Sequence, residues 1–204
     1  MFDSQLWLNG FATLIEANAD ELTELDAAIG DADHGSNMRR GTAAVLTALT
    51  ETPPATVAET TKQAAMVLIR SVGGASGPLY GTFFLRFSAA VEKDDLDTAG
   101  FATAFRAGLD GVVARGKAEA GDKTMYDALA PAAAALDECA TAGTALGRAL
   151  DRAVAAAQAG SDATVDMLAR KGRASYLGPR SIGHRDPGAT SAVLLVRAAR
   201  EAVR

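Results

Sequence analysis

The sequence predicts an all-α protein, and three observations support this class. Aromatic residues make up only 5% of the chain, while alanine, the strongest helix former, recurs throughout. No segment shows sustained alternation of apolar and polar residues with β-branched side chains, which is the signal for a strand. Apolar residues recur instead at three- and four-residue intervals, as at Leu22, Leu25 and Ile29. Helices of similar length joined by short loops predict a bundle or closed barrel of about eight antiparallel helices.

The first helices are delimited by residues that stop or start a helix. Gly30 follows the apolar pattern of the first helix and is a typical residue just past a helix end. Ser36 or Asn37 can cap the next helix, and Thr52-Pro53-Pro54 ends it. Gly73-Gly74 ends the following one. These signals place the first four predicted helices at residues 4–29, 36–50, 55–72 and 77–92.

The second half of the chain is read in the same way. Asp97 and Asp162 are plausible N-caps, and Thr124 with Asp127 resembles a capping box. The remaining predicted helices are 97–115, 124–141, 143–160, 162–170 and 188–203. We find no internal repeat and no linker, and therefore expect one domain over residues 1–204.

Composition and charge exclude several classes of protein. The chain of 204 residues has a net charge of −5 with dispersed Lys and Arg, which argues against nucleic-acid binding and against an anionic membrane surface. Cys139 is the only cysteine, so no internal disulfide can form. Residues 1–5 lack the pattern of a signal peptide, and no apolar run approaches the ~18 residues of a membrane span. We expect a soluble protein of the cytoplasm.

Most of the functional information lies in a short acidic segment between two predicted helices. Asp26, Asp31, Asp33 and His34 lie close together, and Asp26 falls on the last helical turn, where the helix dipole disfavours negative charge. An acidic, solvated turn is the simplest interpretation, but the apolar helices on both sides favour a cation site. An EF-hand is excluded because Thr42 stands where its bidentate glutamate is required. Oxygen ligands favour Mg²⁺ over zinc, and we assign His34 to phosphate contact.

Two further segments lead into helices. Residues 73–78, Gly-Gly-Ala-Ser-Gly-Pro, form a glycine-rich turn, for which an anion site and a tight interhelical turn are equally good interpretations. Residues 116–124 miss the Walker A pattern, because Asp122 stands between Gly121 and Lys123 and no strand precedes them. The sequence leaves Lys123 in a polar loop that opens the next helix.

The segment 171–187 is long for a connection inside a compact helical protein, which favours a functional loop. Arg173, Arg180 and Arg185 predict an anionic partner when taken together. We expect the apolar residues Tyr176, Leu177 and Ile182 to anchor this loop.

Four motifs in order carry a family resemblance. They are Leu-Asp-x-x-x-Gly-Asp-Ala-Asp-His-Gly-x-Asn-Met from Leu25, Gly-Gly-Ala-Ser-Gly-Pro-Leu-Tyr-Gly from Gly73, Gly-Asp-Lys-Thr-Met-x-Asp-Ala-Leu-x-Pro-Ala from Gly121, and Arg-Ala-Ser-Tyr-Leu-Gly-x-Arg-Ser-x-Gly-His-x-Asp-Pro-Gly-Ala-x-Ser from Arg173. Over nearly its full length the chain resembles the family of ADP-binding L subunits (DhaL) of dihydroxyacetone kinase. The resemblance implies a closed barrel of eight antiparallel helices with a magnesium–nucleotide complex at one end.

The resemblance also implies roles for individual residues. Asp26, Asp31 and Asp33 would hold two Mg²⁺ ions that bridge the phosphates of ADP or ATP. The phosphates would be contacted by His34, Gly35, Ser36, Asn37, Ala75 and Ser76. The rest of the nucleotide would be enclosed by Gly116, Met125, Arg173, Asp186, Pro187 and Gly188.

The activity implied by the resemblance is phosphoryl transfer. The family includes ATP-dependent kinases in which this domain is fused behind a substrate-binding domain, whereas this chain holds the nucleotide domain alone. We therefore expect the phosphotransferase-system type, in which an M subunit rephosphorylates bound ADP and a K subunit holds dihydroxyacetone. A Mg–ADP-binding regulatory protein and a nucleotide subunit of an ATP-dependent kinase for a related short ketose stay open, as does a homodimer.

Overall fold

The structure, a computed structural model, describes residues 1–204 and contains nine α-helices. Its one β-type contact is an isolated bridge between Phe2 and Val203. Two 3₁₀ segments, Thr164–Asp166 and Arg173–Ser181, lie between the last two α-helices. The helices are α1 Ser4–Ala17, α2 Ala19–Ile29, α3 His34–Glu51, α4 Val57–Ser71, α5 Ser76–Ala90, α6 Thr98–Gly116, α7 Tyr126–Thr141, α8 Leu146–Ala163 and α9 Pro187–Glu201.

Eight of these helices form a closed ring. From α3 to α9 each helix packs against its neighbours in the sequence, and α1 closes the ring by packing against both α9 and α3. Helix α2 lies outside the ring, mainly against the start of α3. The predicted closed barrel of about eight helices is therefore confirmed.

The segments that connect the helices lie at the two ends of this barrel, and hydrogen bonds join several of them. At one end, the backbone N–H of Asp3 donates to Ala202 O (3.0 Å), and Thr98 Oγ1 donates to Thr144 O (2.6 Å). We call it the terminal end, because both chain termini meet there with residues 52–56, 91–97 and 142–145. The aspartate end is the opposite one and gathers residues 30–33, 72–75, 117–125 and 164–186.

An aromatic core fills the barrel. Trp7 is fully buried, contacts the ring of Phe87 at a centroid distance of 5.1 Å, and donates its indole N–H to Leu195 O (2.9 Å). Phe83, Phe101 and Phe105 continue the cluster, and all three are fully buried. Burying each such side chain contributes roughly 1.5–3 kcal/mol. Because the interior is filled, it leaves no space for a ligand inside the barrel.

Two helix predictions were wrong. The helix expected over residues 4–29 breaks at Asn18, whose side chain donates to Leu14 O (2.6 Å) and competes with the helical backbone. The helix expected over 162–170 does not exist, because α8 continues through Asp162 to Ala163. The chain then leaves the helix by a 3₁₀ turn at Thr164, whose hydroxyl donates to Ser161 O and accepts from the backbone N–H of Asp186.

The anchors predicted for the long connection were only partly right. Leu177 packs on a small cluster formed by Ile29, Ala169 and Ala174. Tyr176 is 87% exposed and Ile182 is 46% exposed, so neither side chain is buried in this structure. No helix combines the length and the hydrophobicity that a membrane crossing requires.

Candidate functional site

Three carboxylates converge where α2 ends and α3 begins. Asp26, Asp31 and Asp33 each offer an oxygen within 4.8 Å of the others. Asp26 is buried and held in place, because its Oδ2 accepts from the backbone N–H groups of Asp33 (2.8 Å) and His34 (3.0 Å). A Cβ at Gly30 would lie 2.0 Å from Asp26 Oδ1, so this close approach requires glycine.

The charge of this cluster is only partly compensated. Arg173 Nε lies 2.9 Å from Asp31 Oδ2, and the Arg173 side chain is 70% exposed. Three close carboxylates repel one another unless a cation lies between them. All the donors are hard oxygens, and with room for water or phosphate oxygens they fit Mg²⁺ better than a softer metal. The donor set therefore fits the cation predicted from the sequence.

The His34 ring points into the protein. Its Nε2 lies 2.9 Å from Ser191 Oγ and its Nδ1 lies 3.2 Å from Ser76 Oγ. Burial lowers the pKa of His34, while the negative charges of Asp26 and Asp33 partly oppose this. Because both ring nitrogens have hydroxyl partners, the ring links α3, α5 and α9. Phosphate contact by His34 stays a prediction.

The N-terminus of α3 is open to a ligand. Asp33 makes no side-chain capping bond, and the exposed Ser36 donates its hydroxyl to Asp33 O (2.9 Å). A Cβ at Gly35 would lie 1.9 Å from Ala19 O, so only glycine lets α3 start this close to α2. Asn37 is buried, and its Oδ1 accepts from Arg40 (2.5 Å). Asp26 Oδ2 already binds the His34 N–H, but the N–H groups of Gly35 and Ser36 and the positive dipole of this terminus favour an anion.

A second helix N-terminus faces the first. Ala75 precedes α5 and makes no side-chain cap, and Ser76 is the α5 residue that reaches His34. The glycine-rich turn is therefore adjacent to the carboxylate loop, although 42 residues separate Ser76 from His34. Two helix starts without a bond from their N-cap side chains therefore lie beside the three carboxylates, so donors that suit an anion adjoin a site that suits a cation.

The residues predicted to enclose the rest of the nucleotide also lie at the aspartate end. Asp186 caps α9 by accepting from the Ala189 N–H (2.7 Å), and burial raises its pKa to about 7. Gly188 faces Met125, since a Cβ there would lie 3.6 Å from the Met125 backbone nitrogen. Pro187 is buried in the first turn of α9. Gly116 ends α6 next to Leu79 of α5.

Sequence reasoning missed three polar residues of this end. Ser191 binds the His34 ring and also lies 2.7 Å from the hydroxyl of the buried Tyr80. Lys123 is 1% exposed and donates to backbone carbonyls of the long connection. Tyr80 and Ser191 stand inside the quoted motifs on otherwise apolar helix faces, which was the available signal. For Lys123, the sequence indicated only a polar loop that opens a helix, so the burial of its side chain was not predicted.

Comparisons with known proteins assign the chain to a family. The DAK2 domain family matches residues 28–201. The chain is 45% identical to the ADP-binding subunit DhaL of PEP-dependent dihydroxyacetone kinase 1 from Listeria innocua, over 94% of this chain and 91% of that one. It is 44% identical to the ADP-binding subunit DhaL from Escherichia coli, with the same two coverages.

A solved structure supports the same assignment. The dihydroxyacetone kinase from C. freundii in complex with AMP-PNP and Mg²⁺ superposes with a TM-score of 0.74 at 25% identity. The match covers 97% of this chain but 33% of that longer one. The chain therefore belongs to the DAK2-domain family and, within it, to the DhaL-type ADP-binding subunits of dihydroxyacetone kinase.

Proposed function

We propose that this protein is the nucleotide-binding subunit of a PEP-dependent dihydroxyacetone kinase. In this role its bound ADP accepts a phosphoryl group from a phosphotransferase-system M subunit and passes it to dihydroxyacetone on a K subunit. The observation that carries the proposal is the carboxylate cluster of Asp26, Asp31 and Asp33 beside the starts of α3 and α5, whose N-cap side chains make no capping bond. The identity of 45% with a DhaL subunit supports it.

The proposed metal site consists of the three aspartates and would hold two Mg²⁺ ions. Bound there, the ions would neutralise the phosphate charges, which is the main requirement of phosphoryl transfer. The backbone at Gly35, Ser36, Ala75 and Ser76 offers N–H groups for the phosphates, and Asn37 lies in the same first turn of α3. No residue of this site needs to act as a general base, because the acceptor hydroxyl would be presented by the K subunit.

The rest of the nucleotide is proposed to lie between the α6–α7 connection and the long connection before α9. Met125 and Gly188 approach each other there, and Gly116 lies at the end of α6. Arg173 already places its guanidinium beside the carboxylate loop at Asp31. Its charge would thus lie next to the proposed phosphate position.

The proposal extends to assembly and location. Relatives are named as subunits of PEP-dependent kinases, which supports separate K and M partners for this chain. A cytoplasmic location is part of the proposal, and the buried free thiol of Cys139 is compatible with it. A homodimer is an open alternative for its own oligomeric state.

A phosphotransfer assay separates this function from its two alternatives. The purified protein with Mg²⁺ is mixed with dihydroxyacetone and K subunit, then given either excess ATP or phosphorylated M subunit. We expect sustained formation of dihydroxyacetone phosphate only with phosphorylated M subunit, because the bound ADP never needs to leave. Rapid multiple turnover with ATP alone would indicate an ATP-dependent kinase. Nucleotide binding without any turnover would indicate a regulatory protein.

A further inference from the structure

Lys123 is the single lysine or arginine among the buried residues of the chain. Its backbone has φ of 65°, in the left-handed region that side chains rarely adopt. Its Nζ donates to the carbonyl oxygens of Met167 (3.3 Å), Ser181 (2.6 Å) and His184 (2.5 Å). An ammonium group has three protons, so each one is used and none is available for a phosphate.

The three carbonyls belong to two limbs of the connection between α8 and α9. Met167 lies on the outgoing limb, while Ser181 and His184 lie on the returning limb. Three other bonds join the same limbs, from Gly183 N to Val165 O (2.7 Å), from Ala169 N to Ser181 Oγ (3.0 Å) and from Asp186 N to Thr164 Oγ1 (2.9 Å). Lys123 therefore fastens the stem of a loop at residues 168–180, which we call the Arg173 loop.

The Arg173 loop carries the residues that face the proposed nucleotide site. Arg173 extends from it to Asp31 Oδ2 (2.9 Å), and Leu177 rests on Ile29. Most of its other residues are exposed, including Arg170, Lys171 and Arg180. The small cluster of Ala169, Ala174 and Leu177 on Ile29 and one bond from Arg170 N to Asp122 O (3.1 Å) are its other attachments. Because these contacts are few, the stem bonds contribute much of what holds the loop in position.

We propose that Lys123 is a positioning residue that sets how firmly the Arg173 loop closes over the nucleotide site and hence how slowly nucleotide leaves. This inference rests on the proposed function, because it concerns retention of the proposed ligand. The physical reason is that removal of the ammonium group breaks its three hydrogen bonds to the long connection. Three carbonyls would lose their charged donor together, and hydrogen bonds to charged groups are among the stronger ones in proteins.

The charges around Lys123 agree with this role. Burial lowers the pKa of Lys123, and the negative charges of Asp186 and Asp166 partly oppose this. No carboxylate lies within ion-pair distance of Nζ, so carbonyl dipoles solvate the ammonium group directly. Its function thus depends on the backbone path of the long connection and not on a partner side chain.

The test compares Lys123→Met with two controls. Lys62→Met makes the same change at an exposed lysine of α4, and Leu136→Ala opens a cavity in the buried part of α7 away from the loop. One measurement is the rate of tryptic cleavage within 168–185, without nucleotide, followed by mass spectrometry. The other is the rate at which a fluorescent ADP analogue leaves in the presence of Mg²⁺ after addition of excess ADP.

We expect Lys123→Met to raise both rates about tenfold or more with an unchanged far-UV circular dichroism spectrum. Leu136→Ala should lower the thermal midpoint while leaving both rates near those of the wild type, and Lys62→Met should change nothing. Wild-type rates in Lys123→Met would overturn the inference. Equal acceleration in Leu136→Ala would also overturn it, because loop opening would then follow global stability.

A second variant covers the case in which Lys123→Met does not fold. Lys123→Arg keeps the charge, but its planar fork cannot direct three N–H groups at carbonyls that converge on one atom. We expect faster loop cleavage in this variant, and wild-type cleavage would overturn the inference. If the wild type bound no Mg–nucleotide, the proposed function would fail, while loop cleavage without nucleotide would still test Lys123.

Discussion

The two ends of the barrel start their helices in different ways. At the terminal end, α1, α4 and α6 are capped by side chains, with Asp97 accepting from Gly100 N at 2.8 Å as one example, while α8 starts without such a cap. At the aspartate end, α3, α5 and α7 lack a capping bond from the N-cap side chain, and only Asp186 supplies one, for α9. At the aspartate end, Asp26 binds the His34 N–H and Thr124 binds the Tyr126 N–H. The remaining donors at the starts of α3 and α5 are the ones that a ligand could use.

The backbone conformations show the same contrast. Of the nine residues with positive φ, only Gly143 lies at the terminal end. The other eight lie in the connections of the aspartate end, and three of them, Ala32, Lys117 and Lys123, are not glycine. Such conformations persist where surrounding contacts impose them. The left-handed backbone conformations thus collect at the end where we propose that metal and nucleotide bind, and this contrast between the ends can be tested by changes at either one.

The largest expected effect is loss of a metal ligand at the aspartate end. Asp31→Asn should reduce phosphotransfer about a hundredfold or more, since even loss of a residue that only supports a ligand can cost this much. The fold should persist, because the exposed Asp31 contributes nothing to the core. Asp97→Asn is the matched change at the terminal end and should leave activity intact, because asparagine caps as well as aspartate. An unfolded Asp31→Asn spectrum in circular dichroism would indicate a structural role instead.

The next effect concerns metal and nucleotide together. Three carboxylates supply few ligands, so phosphate oxygens should complete the metal shell and the two should bind as one unit. Calorimetric titration of ADP should therefore show much weaker binding in EDTA than in Mg²⁺. At a hundredfold excess over Kd, ligand should stabilise the protein by ~2.7 kcal/mol. Equal affinity in EDTA would contradict the metal assignment.

A smaller effect comes from Asp186, the one N-cap side chain that serves the aspartate end. Burial and the nearby Asp127 raise its pKa to about 7, against 3.8 in the unfolded chain. The folded state therefore holds its proton more tightly, so this stabilisation is complete below pH ~4 and is lost as the pH rises to ~7, by roughly 1.4 kcal/mol per pH unit.

Asp186→Asn has no proton to lose and keeps an oxygen that can accept from Ala189 N. The unfolding free energy of the variant, relative to the wild type, should therefore increase between pH 4 and pH 7 without nucleotide. Denaturant unfolding at a series of pH values measures this difference. A constant difference across the range would show that Asp186 is ionised throughout.

The sequence predicted well those features that depend on neighbouring residues. Apolar spacing predicted most helices, and the carboxylate cluster was recognisable because its members lie within eight residues of one another. Prediction from the sequence failed where contacts between residues far apart in the chain determine the structure. Thr164 ends its helix with help from Asp186, 22 residues away, and Lys123 is buried by carbonyls 44 to 61 residues away. Tyr176 appeared apolar enough for an anchor, yet no part of the core lies beneath it.

The smallest expected effects are opposite at the two ends: a change at the terminal end should lower stability only, and a change at the aspartate end should lower ADP affinity only. Asp97→Ala removes a cap at the terminal end and should cost about 1 kcal/mol of unfolding free energy, with no change in nucleotide affinity. Ser36→Ala removes an exposed hydroxyl that caps no N–H group, so its stability should change by less than about 0.5 kcal/mol. Because Ser36 lies in the first turn of α3, where we expect phosphate, its loss should weaken ADP binding in Mg²⁺. Chemical denaturation measures the unfolding free energy of both variants, and calorimetry measures their affinity for ADP. If Ser36→Ala lost stability but kept its affinity, the start of α3 would be an ordinary helix terminus and the contrast between the ends would fail there.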